Sequence, residues 1–290
     1  MLKLQSAMEY LMTYGWAILI IAIVVVALFA LGVFNSTNFV PRATAGACQV
    51  VRNIEGISLQ GQCNNAIPRY VALFNGYSSI IRTPTTFPSA TTQENFSVSA
   101  WININGRCIQ NSFYCGIIDA DNGSAGWGLM AGPGAIDFWI RQTNSTVQDM
   151  KFKVNTNTWY NVVVTYRHSA GSYVANGYVD GAAVANNIVR SAVTLPMPYP
   201  LDIGMARGQG SMVFNGSISN IQLYNTSLSN SSVHSLYLEG IGGSPIDVPR
   251  LVAWWPLNGN TNDYSGNGYN GNSANDISYI NSWTSGYSQP

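Results

Sequence analysis

"NFSVSAWINI", residues 95–104, alternates polar and apolar side chains and is rich in β-branched and aromatic residues. A period of two is the signature of a strand with two unlike faces. Outward from it, the same signal recurs in "YVALFNG" (70–76), "SSIIRT" (78–83), "WGLMAG" (127–132) and "AIDFWIR" (135–141). It continues in "WYNVVVTYR" (159–167), "SYVANGYVDGAAV" (172–184), "LDIGMA" (201–206) and "FNGSISNIQLYN" (214–225), with Gly, Asn and Pro turns between them. Asp180-Gly181 inside "YVDGAAV" supplies the positive φ angles of a type I′ hairpin turn. One short helix is predicted over Ser229–Glu239, with serine as N-cap and Gly240 to end it. Many short antiparallel strands without βαβ alternation mean a sandwich or a barrel.

A chain of 290 residues allows one or two domains. Charged residues make up only 9% of it, against roughly a quarter in ordinary soluble domains. The 13 basic residues balance 13 acidic ones and are scattered, so there is no electrostatic footprint for nucleic acid. Leu11 to Phe34 carries no charge; as a helix it would run about 36 Å, enough to cross a bilayer. Its apolar core is too long for a cleaved secretory peptide, so a retained helix is expected. Lys3 precedes it, which leaves the N-terminus cytoplasmic and everything after Asn35 outside. "NSTNFVPRATAGA" follows as a polar spacer.

The four cysteines, Cys48, Cys63, Cys108 and Cys115, lie on that outer side and lack the paired spacing of a zinc site. Of three connectivities, Cys48–Cys63 with Cys108–Cys115 is the simplest; free buried thiols are the alternative. N-x-S/T sequons at Asn35, Asn95, Asn122, Asn144, Asn215, Asn225 and Asn230 are glycosylation candidates.

Two family resemblances follow. "LQSAMEYLMTYGWAILIIAIVVVALFALGVF" resembles the class III signal peptide of archaeal type IV pilins. The resemblance implies a cut by a prepilin-peptidase-like protease between Leu4 and Gln5, although pilin leaders usually place Gly or Ala where Leu4 stands. Residues 1–4 would then be leader, 5–34 the hydrophobic transmembrane and assembly helix, and 35–47 a linker. It further implies that Glu9 pairs with the new N-terminal amine of a neighbouring subunit in a helical homopolymer. A carboxylate among apolar helices tolerates burial only beside a positive group. Without that partner, Glu9 would be an interfacial residue kept wet at the end of an anchor.

The second resemblance covers residues 66 to about 242. "NFSVSAWINI", "NTWYNVVVTY", "GYVDGAAV", "PLDIG" and "FNGSISNIQLYNTSLS" look like a laminin-G-like, concanavalin A-like jelly roll. "LVAWWPLNGNTNDYSGNGYNG" (251–271) resembles the strand that normally opens such a domain, yet here it comes last. The expected head is therefore residues 48–290, with 251–257 as a permuted strand. The expected fold class is mainly β: a long hydrophobic helix followed by an antiparallel β-sandwich.

Chemistry is sparse. "GWGLMAGPG" has turn glycines and no phosphate-loop context. His168 and His234 sit in different elements without metal-ligand partners. Retaining glycosidases need two carboxyl groups about 5 Å apart, and Glu55, Glu94 and Glu239 have no such partner along the strands. Asp119 and Asp121 form the only close acidic pair; oxygen-rich "IIDADNGS" would suit Ca²⁺, or be a solvated turn. Trp127, Trp139 and Trp159 offer rings for stacking on sugars, or core packing. The sequence is thus read as a non-enzymatic pilus-like filament subunit needing no cofactor, membrane-inserted before assembly and extracellular afterwards. Its jelly-roll head would be exposed for adhesion to a glycan or host-cell surface. The alternative is an uncleaved, membrane-anchored surface lectin.

Overall fold

A computed structural model describes residues 2–31, 33–34, 40–64, 66–83, 95–106, 108, 114–121, 123, 126–132, 135–141, 147–169, 172–189, 200–206 and 212–290. The chain divides into two units, Met1–Pro41 and Arg42–Pro290.

The first unit holds one helix, α1 (Leu2–Ala30). Its described apolar side chains are exposed apart from half-buried Leu28, with Trp16 at 66%. Here the expected fold class is corrected. Among the described residues, no helix is long and apolar enough to cross a membrane. The fold class is a mainly β jelly-roll sandwich, and the expected membrane-crossing helix is not found among the described residues. Leu4, Gln5 and Glu9 lie along α1, and their side chains fall outside the described residues.

The second unit opens with β1 (Arg42–Ala43), parallel to β4 (Ile67–Pro68), and with the hairpin β2 (Cys48–Asn53) and β3 (Gly56–Gly61). Two antiparallel sheets follow. One has seven strands in the order β11 (Val147–Phe152), β10 (Ala135–Arg141), β9 (Gly126–Gly132), β8 (Cys115–Asp119), β15 (Asp202–Ile203), β6 (Ile80–Arg82) and β18 (Asn272–Asn275). The other runs β14 (Ala182–Val189), β13 (Ser172–Val179), β12 (Trp159–Ser169), β7 (Asn95–Ile104), β16 (Asn215–Tyr224), β5 (Val71–Asn75) and β19 (Ser278–Ile280). β17 (Leu251–Trp255) also pairs with β16 and makes the eighth strand of this sheet.

Alternation fills the space between the sheets. β7 sends Phe96, Val98, Ala100, Ile102 and Ile104 into the core against Trp127 and Leu129 of β9 and Phe138 of β10. Phe96 stacks on Trp127 with centroids 5.0 Å apart. The opposite face of β7 is buried too, because other elements cover it. α2 (Asn230–Leu238) lies there: its Val233 and Leu236 share a second cluster with Val163, Tyr178, Tyr224, Leu251 and Trp254. This explains three consecutive buried valines, 162–164, where strict alternation would place the middle one in water. Ser229 caps α2 by accepting from the Ser232 amide at 3.1 Å. The hairpin turn is left-handed at both Asp180 (φ 49°) and Gly181 (φ 75°), the type I′ geometry.

β16 is shared end to end on its outer edge. Residues 215–218 pair with β5, and 221–224 pair with β17. The change of partner falls at Ser219–Asn220, where Asn220 adopts φ +47°. Asn220 Oδ1 accepts from Trp254 Nε1 at 2.7 Å, while its amide donates to the Gly243 carbonyl at 2.9 Å. A C-terminal segment therefore supplies half of one strand position in the sheet.

Candidate ligand-binding site

Among the described residues, a recess lies on each outer face of the sandwich. On the eight-stranded sheet, a cleft of about 240 Å³ is lined by Asn103, Asn105, Asn157, Ser217, Trp159 and Trp283, with serines of the C-terminal tail at its lip. Asn103 and Ser217 point outward because their neighbours in sequence, Ile102, Ile104 and Ile218, point into the core. The tail is pinned by main-chain contact: Trp159 N donates to the Gly286 carbonyl at 2.9 Å. Gly286 (φ +74°) is required there, since a Cβ would lie 2.3 Å from the Asn157 carbonyl oxygen. Trp159 Nε1 donates to Trp283 O at 2.8 Å, and Trp283 Nε1 to Pro68 O at 3.1 Å. The two indoles are 4% and 3% exposed, so they wall the cleft and present no open ring face. The lining is uncharged and rich in amides and hydroxyls, groups that both donate and accept.

On the seven-stranded sheet, register aligns a transverse polar row. Asp149 faces Trp139, Trp139 faces Gly128, Gly128 faces Asp119, Asp119 faces Asp202, and Asp202 faces Arg82. Gly128 is needed because a Cβ there would sit 2.6 Å from Trp139 Nε1. Arg82 forks onto Asp202, Nε to Oδ1 at 2.8 Å and Nη2 to Oδ2 at 3.1 Å. Arg141 Nε binds Asp121 Oδ2 at 2.9 Å and lies over the Trp139 ring.

The calcium candidates are thus placed in a charge-paired setting. Asp119 Oδ1 accepts from the Asp121 amide at 2.8 Å, and Asp121 Oδ1 accepts from Gly123 N at 3.0 Å. Among the described residues, no group of three or more His, Cys, Asp or Glu could hold a metal ion. Asp119 and Asp121 do come together, with Arg141 as the cation.

Of the stacking candidates, Trp127 lies in the core, Trp139 is buried on the outer face, and Trp159 walls the cleft. His234 is exposed on α2, and the side chain of His168 falls outside the described residues. Cys48 pairs with Cys63 and Cys108 with Cys115. Asn95 and Asn225 are exposed; Asn215 is half-buried; Asn230 Oδ1 accepts from Tyr178 OH at 2.7 Å. Asn35, Asn122 and Asn144 lie outside the described residues.

Sequence reasoning missed one group. β11 sets Lys151 opposite Asp137, with Asp149 two residues along the strand. Lys151 Nζ is 2.8 Å from Asp149 Oδ2 and 3.7 Å from Asp137 Oδ2. Asp137 Oδ1 is buried with no hydrogen-bond partner. Burial raises the Asp137 pKa to about 6, with Lys151 pulling it down and Asp149 pushing it up. The only available signal was an aspartate on the outward-facing register of "AIDFWIR"; strand pairing was needed to find its neighbours.

The family described as the concanavalin A-like lectin/glucanases superfamily matches residues 75–234, more than half of the chain, and the protein belongs to it. A Bacteroides ovatus protein assigned as carbohydrate binding is similar in structure: TM-score 0.54, 16% identity, 78% of this chain and 63% of that one. The binding domain of botulinum neurotoxin serotype D is also similar, at TM-score 0.47 and 16% identity, over 67% of this chain and 51% of that one. This chain therefore spans less than two thirds of either protein, and at such identity the first likeness speaks to fold alone. No curated protein matches the sequence.

Proposed function

We propose that the protein is a non-catalytic surface adhesion module that recognises a neutral saccharide in the cleft of its eight-stranded sheet. The observation that carries this reading is the cleft lining: Asn103, Asn105, Asn157 and Ser217 between Trp159 and Trp283, without a charged group. Amides and hydroxyls match the mixed donors and acceptors of a sugar, and a concave, partly apolar recess supplies the contact area. Two disulfides support an oxidising, extracellular setting.

The test is a glycan array followed by calorimetry on the full chain. The wild type should bind at least one neutral oligosaccharide. The double variant Asn103→Ala, Asn105→Ala should lose about tenfold in affinity, roughly 1.4 kcal/mol, with an unchanged melting temperature. Equal binding by the variant would rule the cleft out.

A second, finer reading rests on "QSAMEYL" at residues 5–11: the module is a pilus-like filament subunit, processed after Leu4 and polymerised with Glu9 beside a neighbour's new amine. Mass spectrometry of the assembled protein should then find Gln5 as the first residue. Recovery of intact Met1 in filaments would remove this reading.

A further inference from the structure

We propose that Asn225, in the turn between β16 and α2, is an N-glycosylation site of the folded protein. Its side-chain amide takes a saccharide from a lipid-linked donor outside the cell. The Nδ2–C1 bond forms and the bond from C1 to the lipid phosphate breaks. The phosphate leaves with the electron pair, and Nδ2 gives up one proton. From the function proposed above, this site borrows only the extracellular setting.

An acceptor motif of the form Asn-x-Ser/Thr belongs on a surface loop. Transfer engages the asparagine amide together with the hydroxyl two residues on, so both groups must be reachable at once. Four sequons lie among the described residues, at Asn95, Asn215, Asn225 and Asn230. The fold closes three of them. Asn95 opens β7, and its hydroxyl partner Ser97 is fully buried. Ser97 Oγ donates to the Thr226 carbonyl at 2.7 Å and accepts from the Leu228 amide at 2.9 Å. Asn215 opens β16, half-buried against Gly76, and its partner Ser217 is buried. Asn230 is the first residue of α2, with Oδ1 accepting from Tyr178 OH at 2.7 Å. Helix residues two apart do not face each other, so Asn230 and Ser232 cannot meet one transferase site. Ser232 Oγ is also 2.9 Å from Ser229 Oγ.

Asn225-Thr226-Ser227 is different, because it lies in neither a strand nor a helix. Asn225 is exposed and Ser227 half-buried. The main chain around them is nevertheless fixed. Asn225 N donates to the Arg250 carbonyl at 2.9 Å, and Ser97 holds the Thr226 carbonyl and the Leu228 amide. A loop already ordered, with its asparagine side chain in water, loses little further entropy when a transferase grips it. The site is also remote from the cleft. Ser217 of the cleft lies near the start of β16, and Asn225 follows its last residue. Eight residues at roughly 3.3 Å each separate them by about 26 Å. A glycan on Asn225 leaves the cleft open.

The experiment is peptide mass spectrometry of the full chain isolated from its own cells, with fragmentation that separates Asn225 from Asn230. The wild type should carry a saccharide mass on Asn225. Asn225→Gln and Ser227→Ala should each lower occupancy at least tenfold, and Ser227→Thr should keep it, all with unchanged melting temperatures. Three results overturn the inference: a bare Asn225 in the wild type, a saccharide on Asn95, Asn215 or Asn230 in its place, or full occupancy in Ser227→Ala. The cleft double variant should be modified like the wild type, and Asn225→Gln should bind oligosaccharides like the wild type. Either proposal can therefore fail while the other stands.

Discussion

Asp137 carries a stability cost through its burial, and the sign of that cost can be worked out. Its folded-state pKa of about 6 lies above the ordinary carboxylate value near 3.9. Between those two values the folded protein holds a proton that the unfolded chain has released. Stability is therefore full below about pH 4 and declines as pH rises through about 6. Asp137→Asn imitates the protonated form, so it should raise the melting temperature at about pH 7.5 and leave it unchanged near pH 4. Melts across that range test this; a difference independent of pH would show that burial of this carboxylate is not what matters. Asp263, in contrast, is hydrogen-bonded at both oxygens. Oδ1 accepts from the Trp254 and Ser265 amides at 2.9 and 2.8 Å, and Oδ2 from Ser265 Oγ and the Tyr269 amide at 2.8 and 2.9 Å. Hydrogen bonds to a charged group are worth about 1.5–3 kcal/mol each and do not add simply. Asp263→Ala should cost at least one such increment in denaturant melts.

At the scale of elements, β17 is the piece whose removal should do most harm. Trp255, Ala253 and Leu257 enter the main core, while Leu251 and Trp254 join the cluster under α2. Arg52 reaches across to donate to the Leu251 carbonyl at 2.9 Å, and Trp255 Nε1 donates to Tyr269 O at 2.8 Å. Each large side chain buried stabilises by about 1.5–3 kcal/mol, and several together rival the roughly 5–15 kcal/mol of a whole domain. Deleting residues 250–290 should unfold or aggregate the second unit; an unchanged denaturation midpoint would make the tail an independent appendage. The Cys48–Cys63 bridge closes a separation of 15 residues around the β2–β3 hairpin. Loop entropy values such a bridge at about 3 kcal/mol. Cys48→Ser with Cys63→Ser should lower stability by about that much, and by far less if the hairpin keeps its structure in the unfolded state.

For the whole molecule the relevant quantity is charge. Thirteen basic and 13 acidic residues cancel, and charged residues are only 9% of the chain. The described ion pairs, Arg82–Asp202, Arg141–Asp121 and Lys151 with its two aspartates, all lie on the seven-stranded sheet. Saccharide binding in the uncharged cleft should hence be nearly independent of ionic strength. Raising salt from about 0.05 to 0.5 M shortens electrostatic reach several-fold but leaves amide and hydroxyl contacts in place. A steep salt dependence would point to a charged partner on the other sheet.

Local pattern was enough for much of this architecture. Period-two stretches such as 95–104 and 159–167 announce strands because alternate side chains point to opposite faces whatever the neighbours are. Ser229, Gly240 and Asp180-Gly181 announce caps and a turn because their conformations are set within a few residues. The uncharged run 11–34 was legible as apolar, yet among the described residues no helix is long and apolar enough to cross a membrane. Long-range placement was decided by the tertiary structure. Only the pairing of β10 with β11 brings Lys151 to Asp137, and only the docking of the tail sets Trp283 beside Trp159 and makes the cleft. Likewise Arg141 neutralises Asp121 from 20 residues away. Such contacts depend on strand order and register, and a one-residue slip in register would send every one of these side chains to the opposite face.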